Sequence, residues 1–201
     1  MAAAPRFDPQ RVAHYEKAGW EAYYQRNWPR VFGLMVALNR EQFNMPPLKA
    51  LAAAIDIVLA SVAFAPAEND VAAATRHLQR YYEKARRSAH IEAAADDLAR
   101  LEMDYWVMHR ALALERQRRP GLDNLAPLVA VLAHLHASLF GISPTAARES
   151  AVFRSLAAQA VDRITGGYST DEQADWRAVE SCLQQAYRAV QSTGAARGTP
   201  I

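Results

Sequence analysis

Apolar residues recur every three or four positions along most of this chain, and prolines separate the segments that show this spacing. The spacing places side chains on one face of an α-helix, and no alternating β-branched run bounded by tight turns is present. Proline is tolerated in the first turn of a helix, because its missing N–H would be unpaired there. The pattern predicts eight helices, at about residues 9–26, 28–42, 48–64, 71–85, 91–117, 124–140, 144–165 and 169–190.

Short polar residues precede several of these segments and fit the role of helix caps. Asn27, Ser143 and either Asn69 or Asp70 stand where a side-chain oxygen accepts a hydrogen bond from an unpaired backbone N–H. The spacing of Ser169 and Glu172 is that of a capping box, which predicts that Ser169 caps the eighth helix.

The segments add up to one compact unit. We expect an all-α fold, a single-domain bundle of about eight helices over residues 1–191, followed by a flexible C-terminal tail at 192–201. The helix near residues 91–117 is predicted to be the longest, and at 1.5 Å per residue it would cross the domain over roughly 40 Å.

Composition supports this fold and narrows the classes of function. Of the 201 residues, 42 are alanine, the best intrinsic helix former. The 23 lysines and arginines against 21 acidic residues give a net charge of +2, so we expect neither nucleic acid nor a membrane as a partner. The single cysteine, Cys182, and an N-terminus without an apolar leader lead us to expect a protein of a bacterial-type cytoplasm.

The third predicted helix is apolar enough to raise the question of a membrane span. Asp56 lies inside this run, and a carboxylate at mid-bilayer costs about 2.5–3.5 kcal/mol, which favours a buried core helix instead. The large aliphatic residues at helical spacing predict its buried stripe: Leu48, Leu51, Ile55, Leu59 and Val62.

Ionisable residues on apolar helix faces are the best candidates for a site, because burying them costs free energy unless they are paired. Glu102 and His109 lie within the apolar arc of the fifth helix, His136 within that of the sixth and Arg154 within that of the seventh. Asp56 flanks the stripe of the third helix.

A metal site is one interpretation of these residues, since carboxylate and imidazole groups bind iron and related metals in helical bundles. Glu102 and His109 are seven positions apart, or about 10.5 Å along the helix axis, too far to share one ion easily. The Glu-x-x-His spacing of such centres is missing, and so are glycine-rich phosphate-binding motifs. We therefore predict no metal and no cofactor.

Two further interpretations remain open. In the first, Arg154 pairs with Glu102 inside a closed core, while His109 and His136 bond to hydroxyls or carbonyls. In the second, a pocket walled by Tyr81, Tyr82, Tyr105 and Trp106 holds a small ligand. The predicted ligand-binding residues of that pocket are Glu102, Tyr105, His109, His136 and Arg154.

No recognised catalytic motif is present, including the Gly-x-Ser-x-Gly elbow of serine hydrolases. We expect a non-catalytic accessory or assembly protein that binds a protein partner or itself through the third or eighth helix. The alternative is a small-ligand-binding or metal-dependent helical-bundle enzyme with an internal site around Glu102, His109 and His136. The basic run Arg116, Arg118 and Arg119 is interpreted as a solvated helix end.

Overall fold

The computed structural model describes residues 7–119 and 121–196, and within those ranges it is all-helical, with eight helices and no strand. This confirms the predicted fold class. The helices are α1 (Pro9–Tyr24), α2 (Trp28–Gln42), α3 (Pro47–Phe64), α4 (Val71–Ala89), α5 (Ala95–Arg118), α6 (Ala126–Phe140), α7 (Pro144–Thr165) and α8 (Glu172–Ala196).

The predicted caps of three helices are confirmed, and that of the last is wrong. The side chains of Asn27, Asp70 and Ser143 each accept a hydrogen bond from the backbone N–H three residues later. Helix α8 is capped by Asp171, whose Oδ1 accepts from Ala174 N at 2.9 Å. Ser169 instead donates its hydroxyl to the side chain of Asp175 in the first turn of α8 and does not accept from a backbone N–H there.

Helix α5 begins at Ala95, four residues later than predicted, because the preceding residues close the end of α4. His90 adopts a left-handed conformation with φ 54°, and the N–H of Ile91 donates to the carbonyl of Arg86 at 3.0 Å. The Arg86 side chain in turn donates to Ala93 O at 3.0 Å. Such a reversal satisfies carbonyls that would otherwise be unpaired at the helix end.

The longest helix is α8 with 25 residues, one more than α5, so the prediction that the fifth helix is longest is wrong. Helix α8 extends to Ala196, and the predicted start of a flexible tail at residue 192 therefore falls inside it. The rest of the predicted tail, 197–201, lies outside the described residues.

The eight helices form a closed ring. Each helix packs against the next one in the sequence, and α8 packs against α1. Buried apolar residues form three clusters, one centred on α3 to α5, one on α5 to α7, and one joining α1, α7 and α8. This arrangement leaves room for a site on the inner side of the ring.

Helix α3 buries the opposite face from the predicted one. The five large aliphatic residues expected inside are 41–83% exposed, whereas four of its alanines, Asp56 and Phe64 are buried. Small side chains let α3 approach α2 and α4 closely, and Asp56 pairs with Arg80 and Lys84 of α4 at 3.1 Å and 2.5 Å.

With a mean hydropathy of 1.8, α3 has the length and composition of either a membrane span or a core helix. We call its exposed residues Leu48, Leu51, Ile55, Leu59 and Val62 the α3 stripe.

Candidate functional site

A cavity of about 400 Å³ lies inside the ring, and all eight helices contribute to its wall. We call it the central cavity. Most of the wall is apolar, and its aromatic members are Trp20, Tyr23, Tyr24, Phe43, Phe64, Tyr81, Tyr82, Tyr105, Trp106, Phe140 and Tyr187. The five residues predicted to bind a ligand all lie on this wall: Glu102, Tyr105, His109, His136 and Arg154.

The wall of the central cavity extends along α5, and its exposed residues lie toward one end. Four of its wall residues are exposed, namely Tyr24, Leu114, Gln117 and Thr165. They lie at the C-terminal ends of α1, α5 and α7, so the mouth is located where these ends meet. Glu102 lies fifteen positions before Gln117 on the same helix, which places it about 22 Å from that end of the cavity.

Arg154 and Glu16 form the main ion pair of the inner wall. Nη2 of Arg154 lies 2.5 Å from Glu16 Oε1, and the Tyr187 hydroxyl donates to the other carboxylate oxygen at 2.5 Å. Burial is the largest single effect and disfavours the charge of Arg154, but Glu16, Tyr105, Tyr187 and Glu102 together outweigh it and hold the guanidinium pKa well above its ordinary value. The predicted pair of Arg154 with Glu102 is wrong, because α1 brings a closer carboxylate to the guanidinium.

Glu102 is held by two neutral donors instead. The Tyr82 hydroxyl donates to Oε2 at 2.9 Å, and the Trp106 indole N–H donates to Oε1 at 2.7 Å. Burial raises the pKa of Glu102, against the opposing effects of Arg154 and of these two hydrogen bonds. Among the described residues, no cation lies within 4 Å of this carboxylate.

His136 is a buried neutral imidazole. Its Nδ1 lies 2.8 Å from the Ser150 hydroxyl, which agrees with the predicted bond to a hydroxyl. Burial, and secondarily the charge of Arg154, lower its pKa from 6.5 to about 3. At neutral pH this residue therefore contributes a polar but uncharged edge to the cavity wall.

His109 belongs to a second polar group near the mouth. Its Nε2 lies 2.8 Å from Asp162 Oδ1, and its ring lies parallel to that of Tyr105 with the centroids 5.9 Å apart. The partner is thus a carboxylate rather than the predicted hydroxyl or carbonyl. Asp162 also pairs with Arg116, which is only 1% exposed. The interpretation of Arg116 as part of a solvated helix end is therefore wrong, whereas Arg118 and Arg119 are exposed.

The polar groups do not assemble a metal centre. Within the described ranges, no three His, Cys, Asp or Glu side chains are grouped closely enough to hold an ion. Asp56 lies on α3 away from the cavity wall, where it joins α3 to α4.

Two acidic residues of the wall, Glu16 and Asp162, were not among the predicted site residues. The sequence contained a sign that each of them faces inward. Glu16 is four positions after Val12 on the apolar face of α1. Asp162 is four positions after Ala158 in the apolar arc of α7. Helical spacing therefore indicates that both are inward-facing, although it does not identify the cation that each one meets.

Comparison of the chain with known protein families, curated proteins and solved structures finds no match. Inference about the function therefore starts from the central cavity and the α3 stripe.

Proposed function

We propose that this protein binds a small, mainly apolar molecule in the central cavity. The observation that carries the proposal is the cavity itself, about 400 Å³ of space enclosed by eight helices and reached from one end. Ligand pockets of proteins have volumes of roughly 300–1,000 Å³ and combine apolar walls with a few fixed polar groups. Side chains in an ordinary core fill their space closely and leave few voids larger than a water molecule.

The polar groups of the wall support ligand binding because their partners hold them in place. Glu102 is fixed by Tyr82 and Trp106, and His109 by Asp162. A group whose position is fixed before binding loses little conformational entropy when a ligand arrives. The wall thus combines apolar area, which provides affinity, with oriented polar atoms, which provide selectivity.

The test uses N-phenyl-1-naphthylamine, an uncharged apolar dye whose fluorescence rises in apolar surroundings. Ala113 lies on the cavity wall, and Ala113→Trp places an indole in the passage between Glu102 and the mouth. Ala111 lies on the exposed face of the same helix, so Ala111→Trp is the matched control. We expect dye binding to the wild type and to Ala111→Trp, and at least a roughly tenfold loss of affinity in Ala113→Trp.

Absence of dye binding by the folded wild type would contradict the proposal. Equal affinities of the wild type and Ala113→Trp would contradict it as well, since the dye would then bind elsewhere. Circular dichroism of all three proteins establishes that they are equally folded.

We also propose that the protein associates with a second copy of itself through the α3 stripe. This second proposal concerns the protein partner that the sequence led us to expect. The stripe repeats at three and four positions and carries five large aliphatic side chains without a charge. Two copies can therefore bring identical stripes together without like-charge repulsion, as in an antiparallel helix pair about a twofold axis. The occupant we propose for this face is thus a second copy of the chain.

Light scattering after size exclusion tests this second proposal. We expect a dimer for the wild type and a monomer for Ile55→Glu, which places a charge in the middle of the stripe. Val107→Glu is the control, because Val107 is a comparably exposed aliphatic residue on α5. A wild-type monomer at high concentration contradicts the proposal and leaves the cavity proposal unaffected.

A further inference from the structure

The inner end of the central cavity has one more acidic side chain than it has basic ones. Its acidic side chains are Glu16 and Glu102 and its basic one is Arg154, while the lowered pKa of His136 leaves that imidazole neutral. Glu16 and Arg154 compensate each other at 2.5 Å. Glu102 is left with hydroxyl and indole donors, and a partly buried carboxylate in that situation is stabilised either by a proton or by a cation from outside the protein.

The Glu102 carboxylate retains the capacity to accept further hydrogen bonds. Each of its oxygens accepts one bond from the protein, whereas a carboxylate has about four acceptor sites. Tyr82 and Trp106 hold it from two helices and fix its orientation. An ammonium group has three donors and can therefore bond to the remaining sites.

The two aromatic residues that bond to this carboxylate pack on further aromatic rings of the wall, and such rings favour a cation as well. The indole of Trp106 packs on Phe64 with the centroids 5.4 Å apart, and Tyr82 packs on Tyr81 at 5.0 Å. The faces of such rings attract cations through their negative electrostatic potential. A carboxylate held by two aromatic residues of the wall is thus suited to an organic cation rather than to a metal ion.

Both guanidinium groups of the wall already interact with acceptors of the protein, which argues against an anionic ligand. The charge of Arg154 is compensated by Glu16, and its buried Nε is left without a hydrogen-bond partner among the described residues. Arg110 donates to the carbonyls of Phe64 and Pro66 at 2.6 Å and 2.8 Å, and its guanidinium lies 4.1 Å from the Phe64 ring centroid. These contacts satisfy two carbonyls at the C-terminal end of α3, and the guanidinium of Arg110 is thus bonded to groups of the protein.

From these observations we infer that the ligand is an elongated organic amine whose ammonium group pairs with Glu102 and whose apolar body extends toward the mouth. The inference rests on the proposed function, because it assigns a chemical class to the molecule that occupies the central cavity. The length of the cavity along α5 accounts for the elongated body, and the aromatic wall accounts for its apolar character.

Three probes of similar shape test the inference: 4-phenylbutylamine, 4-phenylbutan-1-ol and 4-phenylbutyrate. Their affinities for the full-length protein are measured by calorimetry at pH 7.5. We expect the amine to bind at least about tenfold more tightly than the alcohol, and the carboxylate to bind most weakly. The order is obtained with the unaltered protein and requires no variant to fold.

Glu102→Gln tests the assigned residue, since it removes the charge and keeps a similar shape. We expect the amine affinity to fall about tenfold while the alcohol affinity changes less than about threefold. Glu102→Asp, which keeps the charge, should retain the preference for the amine. Glu115→Gln is the matched control, because Glu115 lies on the same helix outside the cavity wall and bonds to Asn124.

Failure of this inference differs from failure of the proposed function. If the three probes bind with equal affinity, or if the carboxylate binds best, the assignment to amines is wrong while a ligand-binding cavity stands. If Glu102→Gln keeps the preference for the amine, Glu102 is not its partner. Absence of binding by all three probes, together with absence of binding by the uncharged dye, overturns both proposals.

Discussion

Nη2 of Arg154 on α7 lies 2.5 Å from Oε1 of Glu16 on α1. This pair joins helices from opposite ends of the chain at the inner end of the central cavity, where both side chains are removed from most of the solvent. Tyr187 of α8 donates its hydroxyl to the same carboxylate. Three helices are therefore connected through Glu16.

Glu16→Gln is expected to destabilise the fold strongly. The substitution leaves Arg154 as a buried charge without a carboxylate partner, and breaking such a pair costs about 3–5 kcal/mol. The measurement is the free energy of unfolding in urea, followed by circular dichroism. In Glu180→Gln, which affects a partly exposed pair with His14, we expect a loss below about 1 kcal/mol. Equal losses in the two variants would show that the Arg154 pair contributes no more than a surface contact.

His136 is expected to make the protein sensitive to acid. Its pKa is lowered from 6.5 to about 3 in the folded state, by burial first and then by Arg154 of α7. Between these pH values the unfolded chain binds a proton that the folded protein does not bind, so the free energy of unfolding decreases as the pH falls. At pH 3.5 this contribution amounts to about 4 kcal/mol, since one unit of pKa corresponds to about 1.36 kcal/mol.

The difference between wild type and His136→Gln isolates this effect from the titration of carboxylates. We expect the variant to lose less stability than the wild type between pH 6.5 and pH 3.5 in urea unfolding. His14→Gln is the control, because the His14 side chain is 60% exposed, and it should follow the wild type. Parallel curves for wild type and His136→Gln would contradict the assignment of the acid sensitivity to His136.

The contribution of Glu102 to the free energy of unfolding is expected to have the opposite pH dependence to that of His136. Its pKa is raised above the ordinary value of 4.5 by burial and by Glu16 of α1, against the effects of Arg154 of α7, Tyr82 of α4 and Trp106. Above pH 4.5 the unfolded chain has lost this proton while the folded protein still retains part of it, so the free energy of unfolding decreases as the pH rises. Relative to Glu102→Gln, the ligand-free wild type should thus become less stable from pH 4.5 upward.

The check is a set of urea unfolding curves of both proteins from pH 4.5 to pH 8. Glu115→Gln supplies the control for removing a carboxylate from α5, and its difference from the wild type should remain nearly constant. A constant difference for Glu102→Gln would show that the Glu102 carboxyl ionises in the folded protein as it does in the unfolded chain.

Asp162→Asn is expected to destabilise the protein through Arg116. Both side chains of this pair are 2% exposed, and the substitution removes the negative charge that compensates the buried guanidinium. The expected loss is about 3–5 kcal/mol. Asp104→Asn on the exposed face of α5 serves as the control, with a loss below about 1 kcal/mol. Thermal and urea unfolding measure the loss of stability in both variants. Similar losses would mean that Arg116 finds another partner.

The α3 stripe shows where helical spacing is insufficient. Residues of α3 are apolar on nearly every side, so the periodicity of the sequence does not distinguish the face that will be buried. The size of the side chains decided the orientation, because alanine allows two neighbouring helices to approach where leucine does not. Asp56 contributed by pairing with Arg80 and Lys84, residues of the following helix.

The amino-acid sequence by itself determined the eight helices, most of their ends and the inward direction of Glu102, His109, His136 and Arg154. These properties follow from local rules, namely helical periodicity, the restrictions of proline and the capping of unpaired N–H groups. The tertiary structure decided which partners these side chains meet and how much space remains between them. Glu16 rather than Glu102 pairs with Arg154, since ion pairing depends on the distance across packed helices. The cavity volume likewise depends on how eight helices pack together, which no local segment of the chain encodes.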